Sequence, residues 1–331
     1  YLLSSMDVFA MGGGQNLTMI FRSDDDGKSW HYVCDLFPCF WGKLFLHRGE
    51  VYMLGCSTEY GDLLIGKSSD GGNSFGAPTV LLRGTGGKKA VHGGVGVHKN
   101  PENVVRYGGR IYESLEWGSW QNTEYAHAAM VMSADENSDL LDPESWSFTE
   151  PMKFARWNDE VADLPLNVMM MEGTLVVAPD GRLKNVMRFW KYHRALVLDV
   201  DTAHPDAPLR FDRLMPFYGN FSKFTIKPDP VTGRYYSIAT IAYDKGNPAK
   251  RNLLSLIASP DLEEWEFVLD LFDYRDRPSE KYGFQYVDFE FEGDDIIFLC
   301  RTAVNNAASF HDTNYQTFHR IKNFRTNPVL V

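Results

Sequence analysis

Residues 23–30 read SDDDGKSW, and residues 68–75 read SSDGGNSF. Both fit the frame S-x-D-x-G-x-x-aromatic. Ser23, Asp25, Gly27 and Trp30 fill it first, and Ser68, Asp70, Gly72 and Phe75 fill it again 45 residues later. A looser copy, SPDLEEW, sets Ser259, Asp261 and Trp265 in the same order. SADENSDLLDPESW, from Ser133 to Trp146, carries the frame with an insertion. The chemistry of such a turn follows from its residues. The aspartate accepts backbone N–H groups, glycine takes a conformation that a Cβ would forbid, and the aromatic ring folds back to plug a hairpin.

Short strand–turn–strand segments interleave with these turns. They are KLFLHRGEVYMLGC, NVVRYGGRIYESLEW, GTLVVAPDGRLKNVMRFW, KFTIKPDPVTGRYYSIAT and DFEFEGDDIIFLCRTA. Gly and Asp sit where a tight hairpin needs positive φ. A repeat of about 45–50 residues built only of hairpins predicts an all-β fold, a six- or seven-bladed β-propeller. No Pro/Gly/Ser-rich linker divides residues 1–331, so a single propeller domain is expected. A two-sheet sandwich accounts poorly for the periodic turns. The segment TFHRIKNF is the candidate to close the ring against the opening strand YLLSSMDVF.

Composition narrows the partners. Hydrophobic residues make up 44% and charged residues 23%, as in a globular chain. No apolar run approaches the roughly 18 residues of a membrane span. The net charge is −11 with scattered basic residues, which argues against nucleic acid and leaves room for a local cationic pocket. Aromatic residues reach 14%, which suits a β core and also sugar stacking. Cys34, Cys39, Cys56 and Cys300 form no CxxC pair, so no zinc site is expected. Cys34 and Cys39 are spaced to pair across a short loop, and buried free thiols are the equal alternative. YLLSS has no basic n-region and reads as no signal peptide, which is compatible with a mature secreted chain and with a cytosolic one. No cofactor is expected. A structural calcium ion in a central channel is compatible with the fold, although no loop spells a calcium site.

Propeller ligands bind where the first strands of the blades converge, so polar and aromatic residues there are the candidates. They are Asp7, Trp41 with neighbouring Lys43, Tyr60, His98, Asn100, Glu116 beside Trp117, Glu172, Arg188, Lys223, Gln285, Tyr286, Asp288 and Arg301. NNAASFHDTNYQTFHR adds Asn306, His311, Asp312 and Asn314 on a loop expected to enter an inner strand. His319 and Arg320 follow as fold-holding residues. Each candidate has a structural alternative, such as a cap or an ion pair like Glu172 with Arg188. One per blade is the pattern of a central site. Imidazoles move protons near neutrality, and guanidinium matches carboxylate in two-pronged geometry. On an extended strand, His311 and Asp312 point to opposite faces and form no relay. No G-x-S-x-G is present, which excludes a serine hydrolase of that type. GTGGKKA (84–90) misses the phosphate-loop frame because Lys89 follows Lys88.

The aspartate turns resemble the Asp boxes of the sialidase-like propeller superfamily. GFQYVDFEFEGDDIIFLCRTA, HDTNYQTFHRIKNFR and GNFSKFTIKPDPVTGRYYSIAT are similar to one bacterial branch of it, labelled glycosyl hydrolases or exo-sialidases. That branch is close to propeller enzymes that release L-rhamnose from glucuronate by hydrolysis or elimination. The resemblance implies an enzyme cleaving a terminal glycosidic bond of an acidic, carboxylate-bearing glycan. In the lyase form, Arg301 and Lys223 neutralise the uronate carboxylate, His98 or His311 abstracts the C5 proton, and Tyr286 protonates the leaving oxygen. In the hydrolase form, Glu116 and Glu172 act as acid and base. Asp7, Trp41, Tyr60, Asn100, Arg188, Gln285, Asn306, Asp312 and Asn314 are then substrate contacts. Arg22 runs straight into the first Asp box, so it is not the first arginine of a sialidase triad. Where the branch has S-H-D and Y-H-x-A-P, this chain has SMD and VHKNP: Met6 replaces a histidine and Asn100 an alanine, while His98 and Pro101 match. The loss at Met6 points to a different substrate or altered activity and supports one alternative, a glycan-binding propeller without catalysis; an exo-sialidase-like hydrolase and a structural scaffold are the others.

Overall fold

The computed structural model describes residues 1–9, 14–85, 94–120 and 126–331. Lys88 and Lys89 of GTGGKKA lie outside them. Helix among the described residues is limited to two single 3₁₀ turns, Pro143–Ser145 and Asp159–Val161. The rest is strand and turn, in six sheets of consecutive antiparallel hairpins. The fold is all-β, a six-bladed β-propeller. The chain forms two compact units, 1–175 with 199–211 and 176–198 with 212–331.

The first unit holds three complete sheets. Sheet one is β1 (Leu2–Asp7), β2 (Thr18–Ser23) and β3 (His31–Leu36). Sheet two is β4 (Phe40–His47), β5 (Glu50–Cys56), β6 (Leu63–Ser68) and β7 (Thr79–Leu82). In sheet three, β10 (Arg110–Gly118) pairs with both β8 (Gly96–His98) and β9 (Val105–Tyr107), followed by β11 (Ala128–Asp135) and β12 (Trp146–Phe148). Leu54, Leu63, Ile65, Val97, Ile111, Leu115 and Met132 share one core between sheets two and three.

The fourth sheet is β13 (Met170–Val177), β14 (Leu183–Lys191), β15 (Arg194–Asp199) and β16 (Arg210–Pro216). In the second unit, sheet five is β17 (Lys227–Pro228), β18 (Tyr235–Thr240), β19 (Leu253–Ser259) and β20 (Glu266–Asp273). Sheet six is β21 (Gly283–Glu292), β22 (Asp295–Ala303), β23 (Tyr315–Lys322) and β24 (Val329–Leu330). A core of Leu254, Leu256, Phe284, Phe289, Phe298 and Ile321 joins sheets five and six.

All five expected hairpins form. KFTI, however, is not a strand, and the pairing shrinks to Lys227–Pro228. Pro228 and Pro230 carry no N–H to donate to a ladder. TFHRIKNF is not the closing strand either, because β22 and β24 of its own sheet occupy both edges of β23. The four cysteines are free thiols, so Cys34 and Cys39 do not pair.

The aspartate turns join the last two strands of their sheets. Asp25 accepts the Ser29 N–H at 2.9 Å and the Ser29 hydroxyl at 2.6 Å; Asp70 binds Ser74 at the same distances. Gly27 and Gly72 sit at φ 83° and 90°, in the left-handed region. Trp30 donates its indole N–H to Gly27 O at 3.2 Å, and Trp265 packs on the core of the second unit. These hydrogen bonds, led by the serine hydroxyl, hold the Asp25 and Asp70 carboxyls down at about 2. Folded values below the unfolded value of about 3.9 mean stabilisation that is complete above that pH and is lost as pH falls toward 2. Asp25→Ala and Asp70→Ala should each lower Tm slightly, and additively in the double variant. Thermal melts between neutral and acid pH should show a shallower acid decline for the double variant. Identical slopes would discard this account.

Candidate functional site

Non-glycine residues at positive φ mark the site before any chemistry does. Trp41 in β4, Glu172 in β13 and Tyr286 in β21 lie at φ 53°, 55° and 54°. Trp41 and Tyr286 fall where the first strand of their sheet slips register against the second. A bulge at that place turns a side chain that would otherwise follow the pleat. Tyr60, His127 and His193 form a second set, at φ 58°, 57° and 55°, each in the loop between the second and third strands of sheets two, three and four. Left-handed backbone is costly for bulky residues and concentrates at functional sites.

In the first unit these positions converge. His98 and Glu116 are directly opposed in the β8–β10 ladder, and His98 Nδ1 meets Glu116 Oε2 at 2.5 Å. Both side chains are buried, at 5% and 0% exposure. Glu116 Oε1 also accepts the Gly173 N–H at 3.4 Å. Burial pushes the Glu116 carboxyl up; His98 opposes the shift and neighbouring Glu172 adds to it. With Nδ1 committed to the carboxylate, Nε2 is the nitrogen left for a ligand.

Aromatic rings wall the imidazole. The Trp41, Tyr60 and His127 centroids lie 4.4, 5.9 and 4.7 Å from that of His98. The Tyr60 hydroxyl sits 3.2 Å from His127 Nε2, and exposed Trp120 packs on His127 at 4.6 Å. Burial raises the Tyr60 phenol, so it keeps its proton at neutral pH. Asp7 sets the Trp41 bulge, accepting the Trp41 N–H at 3.0 Å and the Thr18 hydroxyl at 2.6 Å.

Behind His98 the first strand of sheet three breaks into a loop, residues 99–104, before β9 resumes. Lys99 is fully buried there, 2.9 Å from Glu113 on β10, and donates to Asn100 O at 2.8 Å. Burial pushes Glu113 up against the pull of Lys99. Asn100 is 2% exposed, and neither atom of its side-chain amide has a partner among the described residues. A buried amide left without partners is costly, and it marks a place for a ligand hydroxyl or water.

The second unit brings together a different set. The Arg301 guanidinium lies 4.8 Å from the Tyr286 ring centre and that of Arg251 5.8 Å from it. Gln285, fully buried, accepts from Arg251 and donates to Phe310 O and His311 O at 2.8 and 3.0 Å. Arg301 donates to His311 O at 2.7 Å. His311 Nδ1 contacts Asp312 Oδ1 at 2.8 Å, contrary to the expectation of opposite faces. The two sit in an irregular loop, not on a strand, so the strand alternation does not apply. That loop also leads into β23, the third strand of its sheet, rather than an inner first strand. Burial lowers the half-exposed His311, with Arg251 and Arg301 adding and Asp312 opposing.

The remaining candidates have local contacts of their own. Lys223 is buried and donates to Thr225 Oγ1 at 2.8 Å and Val287 O at 2.9 Å, bracing the bulge behind Tyr286. Asn314 clamps both backbone groups of Val304, and Asn306 is an exposed turn residue at φ 67°. Arg188 is buried over the Trp190 ring at 5.2 Å. His127, Trp120, Lys99, Glu113 and Arg251 were not singled out from sequence. His127 lies in the loop between the second and third strands of its sheet, the loop in which Tyr60 lies in sheet two, and that shared position is the signal that would have found it.

The fold and these ring-walled acid–base groups define a propeller with a candidate catalytic centre. Solved structures similar to this chain include glycan-cleaving enzymes. One is an α-L-arabinanase of Penicillium chrysogenum complexed with arabinobiose, at 12% identity, covering 93% of this chain and 86% of that one, with a TM-score of 0.56. A GH43 β-1,3-galactosidase with galactodeoxynojirimycin shows 12% identity, 88% and 93% coverage, and a TM-score of 0.52. A PL25 ulvan lyase bound to a GlcA(1-4)Rha3S unit shows 12% identity, 95% and 71% coverage, and a TM-score of 0.52. No family model and no curated protein matches the chain. At these identities the likeness is one of fold.

Proposed function

We propose that this protein cleaves a glycosidic bond in an acidic glycan by elimination, with His98 as the base. The observation that carries this reading is the buried contact between Glu116 and His98 Nδ1, which leaves Nε2 as the basic nitrogen. Nε2 takes the C5 proton of a uronate. The C–H electron pair forms the C4–C5 double bond, and the C4–O bond breaks. The Tyr60 hydroxyl protonates the departing oxygen, with His127 Nε2–H donating to the phenol oxygen. The choice of an acidic glycan follows from this chemistry, since a carboxylate on C5 is what acidifies the proton that the base removes. Placement within the sialidase-like superfamily rests on the four aspartate turns alone.

Hydrolysis is the second reading, favoured by the mutual influence of buried Glu116 and Glu172. One assay separates the two. The protein is incubated with ulvan, polygalacturonate and neutral arabinan, and reducing ends and ultraviolet absorbance are followed together. Elimination yields a conjugated, absorbing unsaturated uronate in step with new reducing ends. Reducing ends without absorbance would overturn elimination in favour of hydrolysis, and neither signal would leave a binding propeller.

A further inference from the structure

One ring beside the His98 centre differs from its neighbours. Tyr60, His98 and His127 are 3%, 4% and 0% exposed, whereas Trp120 is 53% exposed. Its plane crosses that of His127 at 66°, so the two rings do not lie face to face. A single exposed aromatic residue means little by itself. This one is tied to the proton donor through its backbone. The Trp120 N–H donates to the Tyr60 phenol oxygen, which also sits 3.2 Å from His127 Nε2.

That bond fixes where the indole stands relative to the reaction. A phenol that gives its proton to the departing oxygen lies within hydrogen-bond reach of it, about 2.6–3.2 Å. The Trp120 N–H lies within the same kind of reach of the phenol. The sugar ring bonded to the departing oxygen therefore comes to rest beside Trp120.

We propose that Trp120 is a specificity-determining residue whose exposed indole takes the sugar on the departing oxygen, and that this sugar is neutral. The substrate class is then a glycan in which uronates alternate with uncharged sugars. This inference rests on elimination as proposed above. An indole face is apolar and suits the C–H face of a pyranose. Glu59, Glu116 and Glu172 all act on the Tyr60 phenol as negative charges. Elimination requires the one carboxylate that acidifies the C5 proton. A second, on the departing sugar, would add repulsion and acidify nothing that reacts. The chain's net charge of −11 likewise disfavours a polymer charged at every sugar.

Three polymers test this, since each presents a 4-linked glucuronate and they differ in the sugar on its O4. Desulfated ulvan carries neutral rhamnose there, unsulfated chondroitin a neutral N-acetylated sugar, and glucuronan a second glucuronate. Wild type should show kcat/KM about tenfold or more higher on the two neutral-sugar polymers. Trp120→Ala keeps the N–H on Tyr60 and should narrow that preference about five- to tenfold, the loss expected for one stacking contact. Trp120→Phe, which keeps a ring, should retain most of it. Calorimetric titration of His98→Ala with hexasaccharides of chondroitin and glucuronan reads the same preference without turnover, with Trp120→Ala added as the second variant. Cleavage of none of the polymers, with this binding preference intact, would remove elimination and leave the Trp120 contact standing. Equal or better handling of glucuronan, a preference unchanged in Trp120→Ala, or no binding of either hexasaccharide would overturn the inference.

Discussion

His98→Ala is expected to lower kcat on an acidic glycan by about 10²–10⁴-fold, the usual contribution of a positioned general base. KM should change little, because the rings that wall the imidazole remain. Glu116→Gln should bring a comparable fall for a different reason. An amide facing Nδ1 no longer accepts its proton with the strength of a carboxylate, so the tautomer with a basic Nε2 is no longer favoured. Glu116 is fully buried and its carboxyl is already raised by burial. Loss of its imidazole partner therefore favours the neutral acid over an unpaired buried charge. Kinetics at saturating substrate, with circular dichroism to verify folding, decide the matter. Retention of activity within threefold of wild type in His98→Ala would remove His98 from the mechanism.

The second large effect is on stability. Lys99 and Glu113 are exposed by 0% and 1%, and their charged atoms lie 2.9 Å apart. Removing one member of a buried pair leaves an uncompensated charge and costs about 3–5 kcal/mol. Lys99→Ala and Glu113→Ala should each show that loss in denaturant unfolding. Lys99→Met with Glu113→Leu should recover most of it, since a buried pair replaced by apolar residues is often neutral. Lys99 adjoins His98, and its ammonium ties down Asn100 O, so the double variant should be stable yet impaired in kcat. Equal stability of both single variants and wild type would show that the pair is not held as described.

Much of the fold was legible because its signals are local. A glycine at φ 83° and an aspartate binding a serine four residues on are short-range events, and they repeat at a blade's spacing. Hairpin turns are local as well. The candidate residues were legible one at a time: His98, Glu116, Tyr60 and Trp41 were chosen from strand ends, and in the first unit they are in contact. Their pairing was not legible, because His98 faces Glu116 through ladder register, which depends on where β8 breaks off. His311 and Asp312 show the opposite failure. Strand periodicity was applied to a stretch that is a loop, where side-chain direction follows each turn. Lys223 looked like a charge for a ligand, yet its ammonium serves the backbone at Val287, a long-range contact that no spacing announces.

The left-handed positions at Trp41, Glu172 and Tyr286 have a consequence for the protein's adaptability. In each, the chain adopts left-handed φ with a residue that does not favour it, so sheet pairing, not the side chain, maintains that backbone. The strand is thus a socket, indifferent to what it carries: an indole, a carboxylate and a phenol occupy the same kind of place. Glycine there would relieve the local strain and favour folding, at the expense of whatever the side chain does. Selection can therefore exchange one chemical group for another at these places without redesigning the sheet around it.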